Sequence, residues 1–134
     1  MRTADALDAH ALVELFNLAY SDYFLPLRLD EDAMRTMVEV SDLDLGASPL
    51  ADVDGAPAGF ALLGVRDEEG WIGGMRVVPE ARRRGLGRAL MEAAIETARR
   101  RGVRRLRLEV LEQNEPAVRL YEQLGFERSR ELEV

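Results

Sequence analysis

One segment concentrates residues whose types and spacing could do chemistry: Val77-Val78-Pro79-Glu80-Ala81-Arg82-Arg83-Arg84-Gly85-Leu86-Gly87-Arg88-Ala89-Leu90. An apolar strand runs into a basic loop, and two glycines stand where a helix begins. The first helical turn leaves backbone N–H groups unpaired, and the helix dipole adds partial positive charge there. Glycine lets a ligand approach the backbone closely. The combination suits an anion, a pyrophosphate above all, and nearby guanidiniums add forked hydrogen bonds. The plain alternative is a charged loop whose glycines only permit a tight entry turn.

Two familiar anion loops fit poorly. The phosphate loop of nucleotide hydrolases needs Lys-Ser or Lys-Thr after the glycines, and neither follows. The dinucleotide fingerprint finds Gly85, Gly87 and an acid downstream, Glu109, but Leu90 replaces its third glycine. The six residues from Pro79 to Arg84 also exceed its usual tight turn.

Composition narrows the chemistry further. The chain has 134 residues, the size of one domain, and 47% are apolar, enough for a core without staples. Cysteine is absent, which excludes disulfides, a thiol nucleophile and thiolate metal sites. The single histidine, His10, leaves no basis for a His-rich metal site or a Ser-His triad, and it is assigned no role. No run approaches the roughly 20 apolar residues that span a bilayer. No signal segment opens the chain. The expected compartment is the cytoplasm.

The net charge is −7, and every basic residue is arginine. Residues 1–75 hold four arginines against 15 acids, whereas residues 76–134 hold 14 against 10. Neither nucleic acid nor a membrane is expected as a partner, since a nucleic-acid binder is usually net basic. The basic half suits a compact anion.

Periodicity places these residues on elements. Helices are expected from Asp5 to Tyr20, with Leu7, Ala11, Leu15, Leu18 and Ala19 inward, and from Asp30 to Val40, capped by Asp30. Strands follow over Ala47–Val53, Ala58–Val65 and Trp71–Val78, joined by the turn signals Asp54-Gly55 and Asp67–Gly70 into an antiparallel meander. A helix from Gly85 to Arg101, with Leu86, Ala89, Leu90, Ala93 and Thr97 inward, crosses to a parallel strand, Arg104–Leu111. Asn114 should cap a short helix that stops at Gly125, and Phe126–Leu132 should be a final strand. The fold class is therefore α/β with one mixed sheet, an antiparallel N-terminal meander followed by a parallel β-α-β core, in a single domain over residues 1–134.

With the elements in place, Arg82-x-x-Gly85-x-Gly87 after a strand resembles the acetyl-CoA signature of the GNAT family of N-acetyltransferases. Asn114-x-x-Ala117-x-x-Leu120-Tyr121-x-x-x-Gly125-Phe126 is similar to that family's second signature. The resemblance implies a GNAT-like acyl-CoA N-acyltransferase fold with acetyl-CoA as cosubstrate. It implies direct acetyl transfer to a primary amine, of a small molecule or a protein. Met75, Arg76 and Val77 would meet the pantetheine arm, and a backbone N–H among them would polarise the thioester. Arg82, Arg83, Arg84, Gly85, Leu86, Gly87, Arg88 and Ala89 would hold the pyrophosphate, and Asn114 would touch the CoA arm.

By the same resemblance Tyr121 would be the general acid and Glu109 the general base, with Glu68, Glu69 and Glu112 as fallbacks. The acceptor would meet the segment from Tyr20 to Asp32, whose Asp22, Asp30, Glu31 and Asp32 would form an acidic wall. The alternatives are a non-catalytic acyl-CoA-binding module on the same fold and, more remotely, a dinucleotide-binding fragment. The family usually adds one more strand after the one beginning at Phe126. The expectation is therefore an open edge, a partner chain such as a homodimer's, or a fragment of a longer protein.

Overall fold

The computed structural model describes residues 1–128. Short connections fold the middle of the chain into a meander. Strands β2 (Pro49–Val53), β3 (Ala56–Arg66) and β4 (Glu69–Val77) pair antiparallel in chain order, and β1 (Arg2–Thr3) adds to β2. Asp54 and Gly55 both take positive φ, 52° and 80°, which a tight hairpin with the right twist requires. After the crossover helix, β5 (Arg105–Leu108) pairs parallel to β4 and closes the order β1-β2-β3-β4-β5. β2 starts at Pro49 rather than Ala47 because Leu45–Ala47 form a 3-10 turn held by Asp44, whose carboxylate accepts from the Gly46 N–H at 3.0 Å.

Alternate residues of β3 face opposite layers. A Cβ on Gly59 would meet Leu90 of α3 (Leu86–Arg100) at 3.0 Å. The next ring, Phe60, stacks at 5.8 Å on Phe16 of α1 (Ala9–Ala19). Helix α2 (Glu31–Val40) packs on α1. The core so formed centres on Leu50, Phe60, Leu62, Leu63, Leu90 and Met91, all fully buried.

Two helices sit differently from the periodicity reading. α1 begins after Asp8, which caps Ala11 N–H at 2.8 Å, because Ala4 is already bonded to the sheet at Ser48 and residues Ala4–Ala6 form a separate turn. Its buried face is Leu12, Val13, Leu15, Phe16 and Ala19, with Leu18 exposed. In α3 the buried stripe is Leu90, Met91, Ala94 and Ala98, rotated from the expected one. Both helices have apolar residues on several sides, so periodicity alone left the face ambiguous. α2 starts as expected, with Asp30 accepting from Ala33 N–H at 2.7 Å.

The last helix, α4 (Glu115–Gln123), ends at Gly125, whose φ is +99°. Asn114 occupies its N-cap position but its side chain makes no capping bond, contrary to expectation, because its backbone ψ of 66° lies off the extended conformation of the capping residues Asp8 and Asp30. Phe126, Glu127 and Arg128 are not in a strand, and the rest of the strand expected over Phe126–Leu132 lies outside the described residues. No helix among the described residues is long and apolar enough to cross a membrane.

Gly64 makes the meander testable. A Cβ there would fall 2.2 Å from Trp71 Nε1 and 2.8 Å from the Ser41 carbonyl, which accepts from that same indole at 2.6 Å. Gly64→Ala should cost about 2–3 kcal/mol by displacing the ring and breaking its bond. The urea midpoint, followed through the single tryptophan, checks this; an unchanged midpoint would contradict the crowding.

Candidate active site

The site begins where two strands stop pairing. β4 and β5 run together from Glu69↔Arg105 to Ile72↔Leu108 and no further. At that point β4 carries a bulge. Leu63 pairs with Ile72 and Leu62 with Gly74, so Gly73 is the extra residue. A bulge bends its strand and ends the ladder locally. The β5-side edge of residues 73–77, which include Met75, Arg76 and Val77, therefore pairs with no strand among the described residues. Both glycines are needed for close approach as well. A Cβ on Gly73 would press on Leu43 at 2.9 Å, and one on Gly74 would press on the Tyr20 hydroxyl at 2.9 Å.

Beyond Val77 the chain turns into the basic loop. Arg83 and Gly85 both have left-handed backbones, with φ of 65° and 75°. No side chain caps α3, so its first N–H groups stay available, and the space above Gly85 is open. The four arginines divide. Arg83 and Arg84 are exposed and have no partner among the described residues. Arg88 reaches α4, donating to Gln123 at 2.5 Å, and pairs with Glu92 at 3.9 Å.

Arg82 turns inward, away from the loop. Its Nε donates to the Val77 carbonyl at 3.0 Å, and its Nη atoms donate to the Ala19 carbonyl and to both oxygens of Asp22. Of the expected anion site, Gly85, Leu86, Gly87 and Ala89 lie on the helix start, with Arg83 and Arg84 beside it. The guanidinium of Arg82 is committed elsewhere.

Tyr121 is fixed by its helix end. The left-handed Gly125 lets the Phe126 N–H bond the Tyr121 carbonyl at 3.0 Å, and the Phe126 ring packs edge-on against Tyr121 at 6.0 Å. The ring is buried, and its hydroxyl bonds no other described residue. Burial pushes the phenol up to about 12, Tyr23 adds to the rise, and the Arg76 guanidinium opposes it. Leu120, one residue earlier, lies by Gly87 and Met75. Glu109 follows the last residue of β5, exposed at the point of divergence, with no ion pair to a described residue. Of the fallbacks, Glu68 and Glu69 sit at the opposite end of β4. Glu112 lies in the turn before α4.

The expected acidic wall is mostly paired off, with Glu31 alone exposed and without a partner among the described residues. Asp22 binds Arg76 and Arg82, Asp30 caps α2, and Asp32 pairs with Arg35 at 2.9 Å. What lies against Gly74 and Arg76 of β4 is aromatic. Tyr20 and Tyr23 meet edge-on at 5.1 Å, and the Arg76 guanidinium lies 5.2 and 5.0 Å from their ring centres. Tyr20 is pushed upward by burial, with the Arg76 charge again in opposition. Phe24, Leu25 and Leu27 of the following loop are exposed. Helical spacing hinted at Tyr20 only as a helix end; nothing in the sequence signals that its hydroxyl lies over Gly74.

A model of the acetyltransferase (GNAT) family matches residues 9–126. The chain belongs to the GNAT family. Among GNAT relatives, the ribosomal protein bS18 alanine N-acetyltransferase of Escherichia coli is 44% identical over 73 residues, 54% of this chain and 49% of that one. The crystal structure of the Escherichia coli ribosomal-protein-S18-alanine N-acetyltransferase superposes with a TM-score of 0.76 at 30% identity, covering 92% of this chain and 74% of that one. The yncA protein of Salmonella typhimurium, solved with its cofactor acetyl-CoA, gives a TM-score of 0.72 at 26% identity, over 93% of this chain and 77% of that one. The chain thus spans about half the length of the curated relatives it matches. The mixed sheet expected from the sequence is the GNAT fold.

The tyrosine shift predicts an alkaline weakness. An unfolded chain releases a tyrosine proton near ~10. The folded chain holds that of Tyr121 to about 12. The stabilisation is complete below the unfolded value and is lost as pH climbs from there toward the folded one. Urea midpoints should therefore fall between about pH 10 and 12, and less steeply in Tyr121→Phe. Identical slopes in the two proteins would contradict the assignment.

Proposed function

We propose that this chain transfers an acetyl group from acetyl-CoA to a primary amine, by direct attack while both substrates are bound. The observation that carries this reading is the parting of β4 and β5 at the Gly73 bulge, with the uncapped start of α3 close to the freed stretch of β4, where a Cβ on Gly87 would meet Met75 at 3.5 Å. The residues present suit the cosubstrate. An open strand edge can pair with amide groups of a pantetheine arm, and the α3 N-terminus with Arg83 and Arg84 suits a pyrophosphate. Asn114, its side chain free of a capping bond, is the candidate contact to the arm. The acetyl-CoA-bound relative supports the same assignment.

The roles follow from position. A backbone N–H among Met75, Arg76 and Val77 stabilises the charge that builds on the thioester oxygen. Glu109 takes the proton from the incoming ammonium, directly or through water, so that the amine lone pair can attack the carbonyl carbon. As the new C–N bond forms and the C–S bond breaks, Tyr121 gives its phenolic proton to the departing sulfur. Burial keeps that phenol protonated at neutral pH, and the Arg76 charge favours the phenolate at the moment of donation. The nitrogen of the new amide gives up its second proton to solvent, solvent returns a proton to Tyr121, and Glu109 releases its own, so one proton leaves per turnover. We place the reaction in the cytoplasm.

The acceptor meets Tyr20, Tyr23 and the apolar loop residues rather than a row of carboxylates. A protein α-amine is the acceptor class that the named alanine N-acetyltransferases favour.

Acetyl-CoA should raise the melting temperature, and thiol release in a panel of amines and N-terminal alanine peptides should identify the acceptor. Binding without release on any amine would support the non-catalytic module instead. A shift with a dinucleotide but none with CoA would overturn the reading. Tyr121→Phe should lower kcat by about 100-fold or more with CoA affinity nearly unchanged, since a general acid typically contributes 10²–10⁴-fold. Equal loss of both would make Tyr121 a packing residue. Glu109→Gln should slow turnover and remove the acidic limb of the pH–rate profile; an unchanged profile would exclude it as the base.

A further inference from the structure

Asp22 stands first in the loop that follows α1 and Tyr20–Ser21, yet its carboxylate belongs to the opposite side of the site. Oδ1 accepts from Arg76 Nη2 at 3.0 Å and from Arg82 Nη2 at 2.9 Å, and Oδ2 accepts from Arg82 Nη1. The Ala19 carbonyl at the end of α1 accepts from both guanidiniums, at 3.0 and 3.3 Å. Arg82 also holds the end of β4 through the Val77 carbonyl. One carboxylate therefore ties four pieces together: the end of α1, the loop after it, the unpaired end of β4, and the basic loop before α3.

We infer that Asp22 is a positioning residue that couples the acceptor loop to the acetyl-CoA loop. This rests on the function proposed above. The loop after α1 has two tethers. Its far end is clamped by Asn17, whose side-chain amide pairs with both backbone groups of Leu29 at 2.8 Å each. Its near end is held by Asp22. Between them, residues 24–28 make no hydrogen bond to another described residue. The far tether stays within the α1–α2 layer, whereas the near tether grips the machinery that receives the cosubstrate.

The charge count sharpens the effect. Two guanidiniums share a single carboxylate, and the Arg76 side chain is only 15% exposed. Burial already lowers the affinity of Arg76 for its proton, and the neighbouring Arg82 lowers it further. Removing the Asp22 charge leaves two close cations with no counterion, so Arg82 swings toward solvent rather than losing one bond of several. The left-handed backbone at Arg83 and Gly85 then loses its anchor. Occupancy of the basic loop restrains Arg82, Arg82 restrains Asp22, and Asp22 restrains Tyr23 and the apolar residues behind it.

Hydrogen exchange of residues 21–29, measured with and without CoA, tests this without a known acceptor. In the wild type, saturating CoA should slow exchange of residues 23–28 about tenfold, the size of an ordinary coupling between sites. Asp22→Asn should still bind CoA, yet the slowing should fall below about twofold. Asp22→Glu should restore part of it, and Asn17→Ala should leave the CoA-dependent ratio in place. Should Asp22→Asn fail to fold, Asp22→Ser is read in the same way. Full protection in the Asp22 variants, or no protection in a wild type that binds CoA, overturns the coupling. No CoA binding by the wild type overturns the proposed function, and the coupling with it.

Discussion

Everything at this site depends on two parallel strands that begin a ladder and abandon it. Backbone amides and carbonyls need partners, and a strand edge in a protein interior is costly if left alone. β4 pairs with β3 on both sides of the Gly73 bulge, while its other edge pairs with β5 for only four residues. The Gly73 bulge makes this geometrically affordable, since one added residue bends the strand without unzipping its other side. The gap is thus a product of sheet topology. The side chains around it adapt to a gap that the backbone opens.

The helices then aim chemistry into that gap by their ends. α3 begins without a side-chain cap, so its dipole and N–H groups face outward where a capped helix would present an oxygen. α4 does the reverse, with its C-terminal turn sealed by a backbone bond and a ring contact that hold Tyr121. α1 contributes its last carbonyl, at Ala19, as a receptor for two guanidiniums. Cations near a helix C-terminus are favoured by its dipole, so this arrangement stabilises both α1 and the loop it gathers.

Much of this was legible in the sequence, for identifiable reasons. The meander and the crossover follow from strong local signals: the turns at Asp54-Gly55 and Asp67–Gly70 and the helix expected between Gly85 and Arg101. The uncapped start of α3 was legible because helix starts and glycines act through the backbone, which sequence spacing reports well. The bulge was not separable in the sequence, since Gly73-Gly74 mid-strand suits a bulge and a crowded neighbour equally well. What escaped was long-range side-chain pairing. A run of three arginines looks uniform in sequence, yet Arg82 turns back to a carboxylate 60 residues away while Arg83 and Arg84 do not. The acidic wall failed for the same reason, because charge composition cannot say that Asp22, Asp30 and Asp32 each have a partner. The buried faces of α1 and α3 were misjudged by a fraction of a turn because apolar residues surround both helices.

The bond from the Phe126 N–H to the Tyr121 carbonyl closes a ring of fixed size. That ring counts residues and is indifferent to most of their identities. Glu122, exposed, only fills the count, and Leu124 adds a contact to the core, but the number of residues between tyrosine and glycine is what the ring fixes. A single-residue insertion there would leave a respectable helix and a respectable glycine cap, with the tyrosine turned roughly a quarter-turn relative to the Phe126 ring that now packs on it.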